Sequence, residues 1–147
     1  MQGMYVLIVM IVLIGGYRLL NSTTERTEHD AAASLTARQM LQTAGVLDHA
    51  RTESSSIAAL CPGNRPAADL PVTGPDNTLV HCAEHGGRII VWATEFPGLA
   101  SALRHQSRDS KLLARVSGSQ VITLADPARW NISLPAAVAD GSLVYIN

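Results

Sequence analysis

A chain of 147 residues with a formal net charge of −1 is long enough for one domain, and it has no basic block that would favour nucleic acid or an anionic surface. Aromatic residues make up only 4% of the chain, which argues against a platform that stacks the bases of a single strand. We therefore expect one modest hydrophobic core and no nucleic-acid ligand.

The first predicted element is an apolar segment, residues 4–20, with no charge before Arg18. As a helix it would span about 26 Å, close to the hydrocarbon thickness of a bilayer, about 30 Å. A cleaved signal peptide fits poorly, because no basic residue precedes the segment and the first small-residue cleavage pattern, Ala31-Ala32-Ala33, lies well beyond it. A buried core helix is the other alternative. We predict an uncleaved transmembrane anchor over residues 1–20.

The next segment, residues 21–60, has the pattern of a long amphipathic helix. Ser22 and Glu25 form a capping-box pattern, so the sequence leaves open whether a second helix begins there or one helix continues. The apolar face repeats at helical spacing, which predicts contact either with the core of the same domain or, through heptad positions, with a partner helix. The candidate partner-helix residues on this face are Ala33, Ala37, Met40, Ala44 and Leu47.

Residues 61–147 are predicted to form an extracytoplasmic domain that contains strands and one short helix. Two hairpins are expected, one around the turn at residues 84–87 and one around residues 117–119, and Pro97 suits the first turn of a helix between them. A short extended piece at residues 130–134 and a terminal strand at residues 142–146 follow. The predicted fold class is α+β: an N-terminal transmembrane helix and a long amphipathic helix, followed by a small antiparallel sheet of four or five strands.

The two cysteines, Cys61 and Cys82, flank a loop rich in proline and glycine, which predicts a disulfide in an oxidising compartment. Closing a loop of about 20 residues would contribute on the order of 3 kcal/mol. Two unrelated buried thiols are the alternative. The charges beside the anchor favour the cytoplasm instead. Arg18 and Arg26 follow the anchor, and the positive-inside rule would place the chain after it on the cytoplasmic side.

The sequence contains few candidates for catalytic or metal-binding residues. His81 and His85 join the two cysteines as residue types that bind zinc, but their spacing matches no common zinc signature, and neighbouring strand residues point to opposite faces. The chain has no G-x-S-x-G, P-loop or dinucleotide-binding motif. The sequence therefore predicts no catalytic residue, no metal or cofactor, and no small-molecule substrate.

An anchor, an amphipathic helix and a β-rich domain also form the plan of type IV pilins and pseudopilins. Gly3 precedes the apolar segment, as at a prepilin peptidase site, but no basic leader comes before it. The fifth residue after Gly3 is Ile8, where pilins usually carry a glutamate.

A second set of features extends over nearly the whole chain. It comprises the anchor at residues 1–20, the total length, and the helix of residues 31–51 with Ala37-Arg38-Gln39-Met40. It continues at the C-terminus, in Leu134-Pro135 and in residues 140–145, DGSLVY. In these features the chain more closely resembles the PilM family of type IVb pilus systems, small membrane proteins encoded with the thin pili of conjugative plasmids.

This resemblance implies a non-enzymatic component of the pilus basal body or of the pilin transport apparatus. Its partners would be other pilus assembly proteins or pilin, and it would be a single-pass protein of the inner membrane with its C-terminal domain in the periplasm. Two alternatives stay open. One is a minor pilin or pseudopilin in the fibre, which would be processed after Gly3, and the other is a membrane-tethered hydrolase or metal-binding domain.

Overall fold

The computed structural model describes residues 2–72 and 79–147, and in its first helix it describes the side chains of residues 6–14 and 27–52. The architecture is α+β, as predicted. The helices are α1 (Gln2–Thr52), α2 (Ile57–Leu60) and α3 (Leu99–Gln106), with a 3-10 helix at Pro62–Asn64. The strands are β1 (His81–His85), β2 (Arg88–Thr94), β3 (Leu113–Ser117), β4 (Gln120–Thr123), β5 (Arg129–Trp130) and β6 (Ser142–Ile146).

Helix α1 is one uninterrupted helix of 51 residues, about 76 Å long. The chain therefore does not begin a second helix at Ser22, and the anchor segment and the amphipathic segment are parts of the same element. The predicted anchor, residues 1–20, extends over positions that lie outside the described residues. Within the described part, no helix is both long enough and apolar enough to cross a membrane.

The sheet has six antiparallel strands in the order β1-β2-β6-β3-β4-β5. The prediction of four or five strands was one short because Arg129 and Trp130 pair with β4 as a brief edge strand. The C-terminal strand lies in the middle of the sheet, where Val144 is opposite Trp92 on one side and opposite Ala114 on the other. The last strand of the chain therefore joins the two hairpins into one sheet.

Both faces of the sheet are covered. Because side chains alternate along a strand, Ile89, Val91 and Ala93 of β2 face α1 and α3 and join the larger core cluster. Ile90 and Trp92 face the other way and belong to a second cluster. The chain between β4 and β6 covers this second face with four partly buried side chains, Trp130, Ile132, Leu134 and Val138.

Glycine determines the boundaries of two elements. Gly86 and Gly87 have φ of 58° and 73°, the left-handed values that a two-residue hairpin turn requires, so the hairpin predicted here is confirmed. The placement of Pro97 in the first turn of a helix was wrong, because α3 begins at Leu99 and its N-cap is Gly98, with φ of 88°. Of the predicted extended piece at residues 130–134, only Trp130 lies in a strand.

Candidate functional site

A run of exposed apolar side chains occupies residues 6–14 of α1. All nine are large and hydrophobic, and each is 51 to 67% exposed. Nine consecutive residues cover every side of a helix that has 3.6 residues per turn, so no side of this run rests on the chain's own domain. A contiguous exposed apolar surface of this kind marks a site of contact with a membrane or with another protein.

The candidate partner-helix residues lie in the core instead of on a free surface. All five are between 0 and 3% exposed, and they pack against the sheet and α3 in the larger core cluster. A partner helix therefore cannot reach them in this fold. In the structure this apolar face of α1 covers the core of its own domain. The residues concerned are Ala33, Ala37, Met40, Ala44 and Leu47.

The small residues on the apolar face of α1 allow α3 to approach α1 closely. A β-carbon added at Gly98 would lie 3.3 Å from the β-carbon of Ala33. At the other end of α3, the side-chain amide of Gln106 donates hydrogen bonds to the carbonyl oxygen of Ser34 at 2.9 Å and to its Oγ at 3.0 Å. These contacts hold the sheet domain on the C-terminal half of α1.

The two cysteines form a disulfide between Cys61 and Cys82, with their α-carbons 5.8 Å apart. Cys61 follows α2 and Cys82 lies in β1, so the bond ties the chain after the long helix to the edge strand of the sheet. Both residues are buried, at 7% and 0% exposed. The intervening loop contains residues 73–78, which lie outside the described residues.

The residues that could have formed a metal site are separated. His81 stacks on Trp92 with ring centroids 5.5 Å apart, and His85 Nε2 lies 3.0 Å from Ser133 Oγ. Both thiols are used in the disulfide. Among the described residues, no group of three or more histidine, cysteine or acidic side chains is arranged to hold a metal ion.

Two acidic residues near α3 are ion-paired with arginine. Asp109 Oδ1 lies 2.7 Å from Arg104 Nε, and Glu95 Oε1 lies 2.5 Å from Arg115 Nη2. Each carboxylate therefore neutralises a neighbouring arginine. These residues therefore form ion pairs on the surface of the domain.

Sequence reasoning did not bring together Arg88, Arg129 and Trp130, which line one surface cavity with Asn131 and Ile132. Arg88 lies in β2, whereas Arg129 and Trp130 lie about 40 positions later in β5, and three strands separate β2 from β5 in the sheet, so only the folded chain brings these residues to one cavity. The signal available in the sequence was the pair Arg129-Trp130, a cation beside one of only two tryptophans in the chain.

Comparison with known proteins finds similarity over most of the chain. The PilM family model matches residues 8–146. A crystal structure of the protein PilM from Escherichia coli B7A is 29% identical and superposes with a TM-score of 0.61, and the match covers 80% of this chain and 92% of that one. None of the curated proteins matches the chain significantly.

Proposed function

Because the chain belongs to the PilM family, we propose that it is a non-enzymatic, membrane-anchored component of type IVb pilus assembly that acts through protein–protein contacts. Membership of the family links the chain to pilus systems. The membrane anchor in this proposal is supported by the division of α1 into an exposed apolar part and a part buried against the sheet.

The exposed apolar run at residues 6–14 is the observation that carries this proposal. In the sequence it lies in the middle of the uncharged segment that begins at Met4, and the helix continues on both sides of it. A helix can cross lipid because it satisfies its own backbone hydrogen bonds. Nine apolar side chains that cover all sides of the helix would make favourable contacts with lipid acyl chains. We therefore assign this end of α1 to the inner membrane.

The disulfide supports a periplasmic position for the sheet domain. Disulfides persist in the periplasm and are rare in the cytoplasm, so the bond between Cys61 and Cys82 supports a periplasmic sheet domain. Arg18 and Arg26 favour the opposite orientation by the positive-inside rule. We give the disulfide more weight, because it is a covalent part of the folded domain whereas the charge bias consists of two residues.

A minor pilin is the second candidate, and one observation favours it. A single long helix with an exposed apolar N-terminal part and a sheet packed on its C-terminal half is the plan that pilins also follow. A minor pilin would lose residues 1–3 to a prepilin peptidase, whereas the assembly component would keep them.

The experiment that tests the proposal has two parts. The gene is deleted in cells that make the pilus, and the intact mass of the protein extracted from membranes is measured after alkylation, with and without prior reduction. We expect loss of pili, a full-length mass, and two alkyl groups added only after reduction. Normal piliation of the deletion strain would overturn the role in assembly, and loss of residues 1–3 would favour the minor pilin. Two thiols that alkylate without reduction would place the domain in the cytoplasm.

A further inference from the structure

The segment between β5 and β6, residues 131–140, covers the second face of the sheet without joining the sheet as a strand, and we call it the strap. The side chains of Ile132, Leu134 and Val138 pack on the second core cluster, yet each is only partly buried. Within the described part of the chain, no backbone hydrogen bond joins residues 131–138 to the sheet. The strap is therefore held over this face mainly by side chains.

The backbone of the strap is attached to the sheet at its two ends. Before the strap, Trp130 pairs with Val121 of β4. After it, the N–H of Gly141 donates to the carbonyl oxygen of Val116 at 2.9 Å. Gly141 has a φ of 78°, a value that glycine adopts without strain, so the chain can change direction at this point. The strap thus has two fixed ends and a middle part that can leave the sheet without breaking the ladder.

Two side-chain hydrogen bonds hold the strap closed, and we call them the latches. In the first, His85 Nε2 lies 3.0 Å from Ser133 Oγ, and in the second, Asp140 Oδ1 accepts the N–H of Gly118 at 2.6 Å. Strands β2 and β3 both run antiparallel to β6, so the turn after β3 lies at the opposite end of the sheet from the turn before β2. The latches are therefore attached to opposite ends of the sheet.

The surface beneath the strap is apolar and belongs to the middle of the sheet. Uncovering it breaks the two latches and the contacts of a few partly buried side chains, whereas uncovering the other face would require α1 and α3 to leave the larger core cluster. Segments with few buried contacts open locally at a lower free energy than the whole domain unfolds. The residues beneath the strap are Ile90, Trp92, Ala114, Val116, Val121, Val144 and Ile146.

We propose that the strap opens as a unit while the rest of the domain stays folded, and that it thereby controls access to the apolar second face of the sheet. The two latches set how often it opens. This inference concerns the domain itself and goes beyond the proposed role in pilus assembly.

Native-state thiol labelling tests the opening in the full-length protein, purified in detergent with its disulfide intact. Ala114→Cys places a thiol beneath the strap, and the matched variant Ala93→Cys places one beneath α1 and α3. Both alanines are 0% exposed and they belong to the core clusters on opposite faces of the sheet. The probe is iodoacetamide. We expect Ala114→Cys to react at least about 100-fold faster, because local opening is more frequent than the global unfolding that exposes both thiols.

Removal of the latches should increase this difference. Ser133→Ala with Asp140→Ala is expected to raise the labelling rate of Ala114→Cys about tenfold, because each lost hydrogen bond weakens the closed strap. The same pair of substitutions should change the rate of Ala93→Cys by less than about twofold, since the latches do not contact the face that α1 covers.

The control for the latch variant replaces an exposed serine and an exposed aspartate outside the strap. Ser55→Ala with Asp69→Ala should change either rate by less than about twofold. Thermal melts check that all variants are folded, and if Ala114→Cys melts early, Val144→Cys on the same face takes its place. Low concentrations of urea should accelerate the labelling of Ala93→Cys much more than that of Ala114→Cys, because the effect of urea scales with the surface that opening exposes.

Equal labelling rates beneath the two covers, or an equal dependence on urea, would show that the second face is uncovered only when the whole domain unfolds, and would overturn the inference. An unchanged rate of Ala114→Cys in the latch variant would overturn it as well, because the latches would then not control the opening. These outcomes leave the proposed function intact, since the deletion strain tests that function separately.

Discussion

Gly98 lies directly against Ala33, so that a β-carbon added to the glycine would be 3.3 Å from the β-carbon of Ala33 and 3.5 Å from Asp30 Oδ1. The φ of Gly98 is 88°, a left-handed value that residues with a side chain rarely adopt. Gly98 is also the N-cap of α3, so the conformation and the close contact together determine how α3 is placed on α1. The two α-helices meet at this point because both residues are small.

The substitution Gly98→Ala is expected to destabilise the domain by about 1–3 kcal/mol, because the added methyl group meets α1 and the backbone is held in an unfavourable region. Denaturant unfolding of the purified protein measures the change. Gly45→Ala is the matched control, since Gly45 lies in α1 and an added β-carbon there has nothing within 4 Å. This control is expected to stabilise by about 0.5–1 kcal/mol through helix propensity. Equal effects of the two substitutions would contradict the close contact at Gly98.

A negative charge at Ala37 is expected to unfold the domain. Ala37 is 0% exposed in the larger core cluster, so Ala37→Asp would bury a carboxylate among apolar side chains. A buried group of this kind costs several kcal/mol, whether it stays charged or takes up a proton. The neighbouring substitution Arg38→Asp is the control, because residue 38 is exposed on the same helix, and it is expected to change stability by less than about 1 kcal/mol. Circular dichroism during thermal unfolding checks both, and a folded Ala37→Asp protein would show that this helix face is free.

Local signals in the sequence predicted much of the fold. The helical spacing that ends at Leu47 placed the buried face of α1, because periodicity of about 3.6 residues reports the side of a helix that faces a core. The turn at Gly86-Gly87 placed the first hairpin, because two successive left-handed residues favour glycine. Both features depend on residues that are close along the chain.

Features that depend on distant residues were not predictable. The place of β6 in the sheet depends on its contacts with both β2 and β3, which no local pattern contains. The cover over the second sheet face combines four apolar residues from an irregular segment that has no helical or strand period. In contrast, the pairing of Cys61 with Cys82 had a single possible outcome once a disulfide was expected.

Removal of the disulfide is expected to lower stability without removing the fold. Replacing Cys61 and Cys82 by serine opens the link between the end of α2 and β1. The two cysteines are 21 positions apart, and the expected loss in the free energy of unfolding is about 3 kcal/mol. Denaturant unfolding measures this loss in the doubly substituted protein. Reducing agent is the control: it should destabilise the unsubstituted protein by a similar amount and leave the variant unchanged. A variant as stable as the unsubstituted protein would show that the link contributes nothing to folding.

Two buried threonines are expected to respond in opposite directions to the same substitution. Thr43 Oγ1, on α1, has no hydrogen-bond partner among the described residues, although the residue is 0% exposed. Thr123, which is 5% exposed, donates its hydroxyl to the carbonyl oxygen of Asp126 and accepts the N–H of Ala128 at 2.9 Å. Valine has the shape of threonine without the hydroxyl, so the comparison isolates the hydrogen bonds.

Thr43→Val removes a hydroxyl that is buried without a partner, and it is therefore expected to be neutral or to stabilise by about 1 kcal/mol. Thr123→Val removes both hydrogen bonds of the hydroxyl in the turn between β4 and β5 and leaves the Ala128 N–H with the carbonyl oxygen of Asp126 as its remaining acceptor, and it is expected to destabilise by about 1–2 kcal/mol. Denaturant unfolding under identical conditions measures both changes. An equal loss of unfolding free energy for Thr43→Val and Thr123→Val would mean that the hydroxyl of Thr43 is hydrogen-bonded in solution. The packing of α1 would then have to include a water molecule or a different rotamer at Thr43.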